Sequence, residues 1–205
     1  MKESPQKQII IGLHSIKAAI DNSHRVCLEL IGTDDGFKNL NKLHRLSKQI
    51  LEKKVRKVAQ LTAHEFQQVA QAYFRDLGFE FQRIASGVLL VVSPLPFLTW
   101  QELGKIAGQK NIVALDQVTD IHNAAAIIRT CAFYGVGALI LESKGSFNIT
   151  PGLSRIASGG LETIPLFITS GLPATLRKLR ESGVRLIGLS AVSYTHLTLP
   201  TILRV

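Results

Sequence analysis

Ile112-Val113-Ala114-Leu115-Asp116-Gln117-Val118-Thr119-Asp120-Ile121-His122-Asn123-Ala124-Ala125-Ala126-Ile127-Ile128-Arg129-Thr130 sets the reading of the whole chain. Its first four residues are apolar without alternation, as in a strand covered on both faces. The polar run from Asp116 to His122 is a turn, and a helix follows over 123–134. Strand, polar loop and helix in that order make one step of a parallel α/β sheet. Such sheets take ligands at the carboxyl ends of their strands, where this loop sits. A helix N-terminus with loop amides suits an anion such as a phosphate. Asn123 opens the helix and Arg129 lies six residues on, so both edge the crevice without sharing one narrow face.

The pattern continues downstream. Strands are expected over 138–141, 164–168 and 184–189, and a helix over 173–181. Thr150-Pro151 opens another helix, with Pro151 near its first position. Right-handed crossovers make these strands parallel. Upstream, Ile9-Ile10-Ile11 reads as a strand and Ser15 as the N-cap of a helix reaching Ile20. A strand over 26–31 is stopped by Gly32-Thr33-Asp34-Asp35-Gly36. Leu40, Leu43, Leu46, Ile50 and Leu51 recur at helical spacing. A short strand is expected over 55–58, and Thr62-Ala63-His64-Glu65 is a capping box. Val88-Leu89-Leu90-Val91-Val92 reads as a central strand. The expectation is a small α/β domain over 8–94, a linker over 95–110 with a short helix, and a second, parallel-sheet α/β domain over 111–190. The sequence shows no internal repeat.

Of the 205 residues, 46% are hydrophobic and 19% charged, as in a globular chain and unlike a disordered one. No apolar run reaches the ~18–20 residues of a membrane span. Met1-Lys2-Glu3-Ser4-Pro5 lacks the apolar core of a signal peptide. Cys27 and Cys131 form neither a disulfide framework nor a metal-ligand pair. They read as small buried residues of a reducing cytoplasm, and no metal is expected. The formal charge of +9 favours a polyanionic partner over mere solubility, because it is unevenly placed. Lys38, Lys42, Arg45, Lys48, Lys53, Lys54, Arg56 and Lys57 share one segment in which Glu52 is the only acid after Gly36. All of these but Lys38 are assigned to RNA. Nine Phe, three Tyr and one Trp give no stacking platform for single strands.

Residues 115–130 resemble the first signature motif of the SpoU (TrmH-like) family of RNA ribose 2′-O-methyltransferases, L-D-x-V-x-D-P-H-N-x-G-A-I-x-R-T. Ile121 stands where the family has proline and Ala125 where it has glycine. Ser158-Gly159-Gly160-Leu161-Glu162-Thr163-Ile164-Pro165 resembles the next block, S-x-G-A-x-E-x-x-P. The segments 12–19 and 87–94 resemble the start and end of the family's ribosomal-protein-like substrate-binding domain. The resemblance implies a SPOUT (knotted) methyltransferase domain, a homodimer, and methyl transfer from S-adenosylmethionine to RNA, with ribosomal RNA favoured over transfer RNA by the separate first domain. It implies Arg129 as the catalytic arginine, Asn123 as a group fixing the nucleotide or Arg129, and Glu162 as orienting a basic group or the ribose. Free arginine keeps its proton up to a pKa above ~12, so Arg129 is read as positioning and electrostatic rather than as a base.

On residue type alone, Arg129 is a surface arginine, Asn123 an N-cap and Glu162 a solvated carboxylate. His14 and His122 are structural hydrogen-bonders. The motif reverses the reading for Arg129 and Asn123, balances it for Glu162, and leaves the histidines structural. For Ser154, Arg155 and Ser158, phosphate binding and solvation stand level; Arg155 and Ser158 are carried as RNA contacts. Two other functions compete with this one. A nucleotide-dependent α/β enzyme needs a glycine-rich phosphate loop after the first strand, but Gly135-Val136-Gly137 precedes a strand and lacks the third glycine. A non-catalytic RNA-binding protein would rest on the basic segment over 38–57 alone.

Residues 192–201 read, codon by codon, as a translated transposon-end sequencing adapter. The expectation is that native sequence stops near Ser190, before the family's two further motifs. The cofactor-binding residues are therefore unknown, and the chain as written should neither hold the cofactor nor methylate RNA. Calorimetry showing low-micromolar cofactor binding would refute that. The alternative is a β-rich tail, since Thr, Leu and Val suit a strand.

Overall fold

The computed structural model describes residues 7–145 and 147–189. The first domain runs β1 (Gln8–Ile11), α1 (Leu13–Asp21), β2 (Cys27–Gly32), α2 (Asp34–His44), α3 (Lys48–Lys54), β3 (Lys57–Gln60), α4 (Ala63–Asp76) and β4 (Val88–Val92). Its sheet has the order β1-β4-β2-β3. β4 is antiparallel to both β1 and β2, and β3 is parallel to β2. β4 is central, which explains its unbroken apolar sequence: all five residues are buried. Alternation then sends Val88, Leu90 and Val92 to one face and Leu89 and Val91 to the other. The first set packs with Ile16, Leu40, Leu46 and Leu51 of the α1–α3 layer. The second packs with Phe66, Ala70 and Phe74 of α4.

Three local features differ from the sequence expectation. Ser15 does not cap α1, because the helix already starts at Leu13, with Gly12 (φ 94) at the N-cap. The stretch 32–36 is not merely a stop: Thr33 caps α2, and Asp34 and Asp35 fill its first turn, where the helix dipole favours acids. The helical spacing from Leu40 to Leu51 belongs to two helices, because Arg45 (φ 54) turns left-handed between them. Leu40, Leu46 and Leu51 are buried accordingly, whereas Leu43 and Ile50 are exposed. The capping box on α4 forms as read, with Thr62 and Glu65 bonded reciprocally.

The second series runs α5 (Trp100–Ala107), β5 (Ile112–Leu115), α6 (Ile121–Phe133), β6 (Ala138–Glu142), α7 (Pro151–Ile156), α8 (Gly160–Thr163), β7 (Leu166–Thr169) and α9 (Leu172–Glu181). The described strands are all parallel, in the order β5-β6-β7. α6, α7 and α8 cover one face around Ile128, Leu153 and Leu161. α5 and α9 cover the other around Leu103 and Leu179. The stretch 95–110 is bound to this sheet rather than spanning a gap. Phe97 bridges Leu166, the Leu98 N–H donates to the Leu166 carbonyl at 2.7 Å, and Leu103 is fully buried. No strand forms over 184–189. Gly183 (φ 88) and the Val184 N–H, which donates to the Leu179 carbonyl, are spent closing α9, and Ile187 and Leu189 are exposed. Residues 190–205, including the adapter-like stretch, lie outside the described residues.

Candidate active site and the seam behind it

β5 delivers the chain to the loop 116–120 at its carboxyl end. Gln117 takes a left-handed backbone there (φ 51), an uncommon conformation for a side chain without local hydrogen-bonding advantage. Asp120 then caps α6, accepting the Asn123 N–H at 2.8 Å. Asn123 is therefore inside the first turn and not the N-cap, and its own amide is exposed. The Asp120 carboxylate occupies the place read from sequence as an anion site, so the helix end is already partly neutralised. Position 121 is the first residue of α6, where proline loses nothing. Isoleucine serves there by packing on the core. Ala125 is wholly buried against that core and tolerates its methyl group without opening the helix.

Gln117, Val118, Thr119, Asp120, Asn123, Ala126 and Ile127 line an open cleft of about 500 Å³. Arg129 lies further along the exposed side of α6. Its Nη1 donates to the Ile156 carbonyl at the end of α7, at 2.7 Å. That leaves most of its donors free to meet a ligand. Asn123 and Arg129 are thus brought onto one helix, but only Asn123 lines the cleft; Arg129 is turned toward α7.

Glu162 is not brought there. Its carboxylate turns to the first domain and receives Arg25 Nη2 at 2.8 Å, Arg25 Nε at 2.9 Å and Asn22 Nδ2 at 3.0 Å. The two charged side chains are only 2% and 4% exposed, so neither reaches a ribose. The basic group that Glu162 meets is Arg25, in a buried pair away from the cleft. Arg25 also reaches Gln8 Oε1 and the Ser93 carbonyl through Nη1. Ser15 closes the same seam, its hydroxyl donating to the Ser154 carbonyl at 2.6 Å. Ser154 is buried and therefore not a phosphate contact. Arg155 is exposed but leans on the first domain: a Cβ at Gly12 would lie 3.1 Å from its Cγ. Ser158 is exposed in a left-handed turn (φ 49) between α7 and α8. The seam residues Asn22 and Arg25 carry no motif signal, whereas Ser15 lies in the family-like segment 12–19 and Gly159 in the family-like block that begins at Ser158.

Lys42, Arg45, Lys48, Lys53, Lys54, Arg56 and Lys57 are all exposed. Acids distant in sequence engage two of them: Lys54 pairs with Asp21 at 3.0 Å and Lys57 with Glu29 at 2.7 Å. Lys42, Arg45, Lys48, Lys53 and Arg56 have no ion pair among the described residues. Burial pushes the Glu29 carboxyl up, but Lys57 and the Tyr73 hydroxyl outweigh it and hold it below the ordinary range. The Tyr73 phenol is pushed up to about 12 by burial and by its hydrogen bond to Glu29. Cys27 and Cys131 are free and buried, and burial raises both thiols. Among the described residues no cluster could hold a metal ion, and no helix is long and apolar enough to cross a membrane.

The fold is a two-part α/β arrangement with an open cleft at the carboxyl end of a parallel strand. Residues 110–202 match the model of the SpoU rRNA Methylase family. The chain is 28% identical over 196 residues to the 23S rRNA (guanosine-2'-O-)-methyltransferase RlmB of Shewanella oneidensis, covering 89% of this chain and 70% of that protein. It is 32% identical over 126 residues to RlmB of Pseudomonas syringae, covering 58% of this chain and 50% of that protein. In fold it resembles the AdoMet-bound rRNA methyltransferase of Sinorhizobium meliloti, with a TM-score of 0.59 and 18% identity over 86% of this chain and 59% of that one. It likewise resembles the SpoU methyltransferase AviRb of Streptomyces viridochromogenes, with a TM-score of 0.58 and 18% identity over 87% of this chain and 59% of that one. The chain is similar to the SpoU/TrmH-like methyltransferases, in sequence over 110–202 and in fold over most of its length. It spans half to seven-tenths of the length of these two curated relatives and about six-tenths of these solved structures.

Proposed function

We propose that the protein carrying this chain transfers a methyl group from S-adenosylmethionine to a ribose 2′-hydroxyl of ribosomal RNA. The observation that carries the reading is the placement of Asn123 in the lining of an open cleft at the carboxyl end of β5, with Arg129 exposed further along the same helix. The names of the relatives supply the reaction class. The cleft volume of about 500 Å³ falls within the ~300–1,000 Å³ of small-ligand sites, and its lining mixes apolar Val118 and Ile127 with polar Thr119 and Asn123. That fits a nucleoside-sized group. When bound, the cofactor supplies an electrophilic methyl on a sulfonium; no described residue is assigned to hold it.

The chain's own residues position the nucleophile. Arg129 is tethered by one donor to Ile156 and directs the others at the ribose oxygen or a neighbouring phosphate. It stabilises the charge growing on that oxygen as the hydroxyl proton passes to solvent water, without itself serving as base. Asn123 fixes the nucleotide with its exposed amide. Because Asp120 already caps α6, phosphate contacts fall to Arg129, to Arg155 and Ser158 at the α7–α8 turn, and to the basic face of the first domain. Lys42, Arg45, Lys48, Lys53 and Arg56 carry that face, and Lys54 and Lys57 join it by exchanging an intramolecular carboxylate for a phosphate. Residues 8–94 are the RNA-binding domain in this reading, and 111–190 belong to the methyltransferase domain. The SPOUT knot, a homodimer and a cytoplasmic location complete the reading, supported by the similarity to SpoU methyltransferases.

The test is methyl transfer to ribosomal RNA by protein made from its uninterrupted reading frame. Transfer is expected, and Arg129→Ala should lower kcat by ~100-fold or more, as the loss of a positioned electrostatic donor does. RNA binding without any transfer would overturn the enzyme reading in favour of a non-catalytic RNA-binding protein, the alternative that the basic face supports.

A further inference from the structure

The buried Arg25–Glu162 pair sits behind the candidate active site, and a continuous set of contacts leads from it to Arg129. Arg25 and Asn22 of the first domain grip the Glu162 carboxylate on α8. Asn22 also donates to the Glu162 carbonyl at 3.2 Å, so backbone and side chain are held together. α8 begins at the turn Ser158-Gly159, where two successive residues have positive φ (49 and 88). Gly159 lies so close to α1 that a Cβ there would stand 2.7 Å from Ala18 Cβ and 3.3 Å from the His14 carbonyl. On the other side of the turn, Ser15 of α1 holds the Ser154 carbonyl of α7. The α7–α8 turn is thus clamped against α1 from both flanks. The carbonyl that anchors Arg129 belongs to Ile156, two residues before Ser158.

We propose that Arg25 and Glu162 are positioning residues: by docking the first domain on the α7–α8 turn, they fix the carbonyl that orients the Arg129 guanidinium. The inference rests on the reading of Arg129 as the catalytic arginine. A packed seam has discrete arrangements rather than a soft continuum, so releasing one clamp shifts the turn as a unit. The exposed Arg129 has a single protein hydrogen bond among the described residues, so its orientation follows that carbonyl. The domain that binds RNA and the residue that acts on it are therefore mechanically joined.

The experiment compares Glu162→Gln with the unaltered protein from its uninterrupted reading frame. Glutamine keeps the size and one acceptor but removes the charge. Three readouts are taken: amide exchange over 157–160, the Arg129 Nε–Hε resonance, and kcat and KM for ribosomal RNA. Faster exchange in that turn, a displaced Arg129 resonance, and a kcat lowered by ~10- to 100-fold with KM nearly unchanged support the proposal. A folded Glu162→Gln protein with unchanged exchange and an unchanged Arg129 resonance overturns it, whatever its activity. Asn22→Ala, which removes one neutral donor, serves if Glu162→Gln does not fold, and the same criteria apply with a smaller fall in kcat. Absence of methyl transfer by the unaltered protein overturns the proposed function, while the exchange and resonance readouts still decide the coupling.

Discussion

Two arginines mark two regions that handle the same chemistry in opposite ways. At the seam, Arg25 spends Nε, Nη1 and Nη2 on Glu162, Gln8 and the Ser93 carbonyl, and its side chain is 2% exposed. On α6, Arg129 spends one donor on Ile156 and stays exposed. Glu162 and Asn123 repeat the contrast, the first sealed by three donors and the second with its amide open to solvent. A guanidinium whose donors are consumed holds structure; one with donors to spare is ready for a ligand. Motif membership does not make that distinction, because Glu162 and Arg129 both stand in family blocks.

The largest expected effect tests this contrast in stability. Glu162→Ala leaves Arg25 charged and buried without its partner, and breaking such a pair costs ~3–5 kcal/mol. Arg129→Ala removes an exposed side chain with one hydrogen bond, and its cost should stay under ~1 kcal/mol. Urea unfolding of both variants beside the unaltered protein gives the numbers. Equal losses would break the comparison, showing that the seam bears no more of the fold than the crevice.

That contrast also explains what could be read before any coordinates. β4 was legible because a central strand is apolar on both faces, and α4 because Thr62 and Glu65 write a complete capping box. Thr150-Pro151 opened α7 for the same kind of local reason. Asn123 and Arg129 were legible as a pair because both sit on the helix that the motif itself forms. Glu162 was half legible: the motif marked it as orienting a basic group or the ribose, but Arg25 lies 137 residues away and no short-range pattern links them. The break at Arg45 was hidden too, since a left-handed arginine between two leucine-bearing helices leaves the spacing almost intact. The strand expected over 184–189 failed because β-propensity says nothing of whether a partner strand is present. The basic segment misled slightly by looking only at neighbours in sequence, as Asp21 and Glu29 show by engaging Lys54 and Lys57.

A middle-sized effect sharpens the crevice side. Among the described residues, Asp120 is the carboxylate that lines it, committed to the Asn123 N–H. Asp120→Ala removes that N-cap and should cost ~1 kcal/mol, well below the seam pair. Because the same change uncovers the N-terminus of α6, inorganic phosphate should stabilise Asp120→Ala more than it stabilises the unaltered protein. Thermal melts with and without phosphate separate the two parts. A variant that loses stability but gains nothing from phosphate would show that the capped helix end was never a latent anion site.

The smallest effect concerns a departure from saturation near the seam. His44, at the end of α2, stands edge-on to His14 of α1, with ring centroids 4.9 Å apart. Its Nε2 is buried with no hydrogen-bond partner among the described residues. Burial lowers its pKa from the ordinary 6.5; His14 and then Lys17 lower it further, and Asp21 works weakly against them. The folded state therefore prefers neutral His44, whereas the unfolded chain takes up the proton at its ordinary pKa. The unfolded state binds more protons in that window, so stability is whole above about pH 6.5 and falls as pH drops toward the lowered value. His44→Phe keeps an aromatic edge against His14 and removes both the titration and the orphaned nitrogen. Melting temperature measured from pH 7.5 down to 5 should fall less steeply for His44→Phe than for the unaltered protein. Parallel curves would place the acid sensitivity elsewhere and leave the seam without this one unsatisfied neighbour.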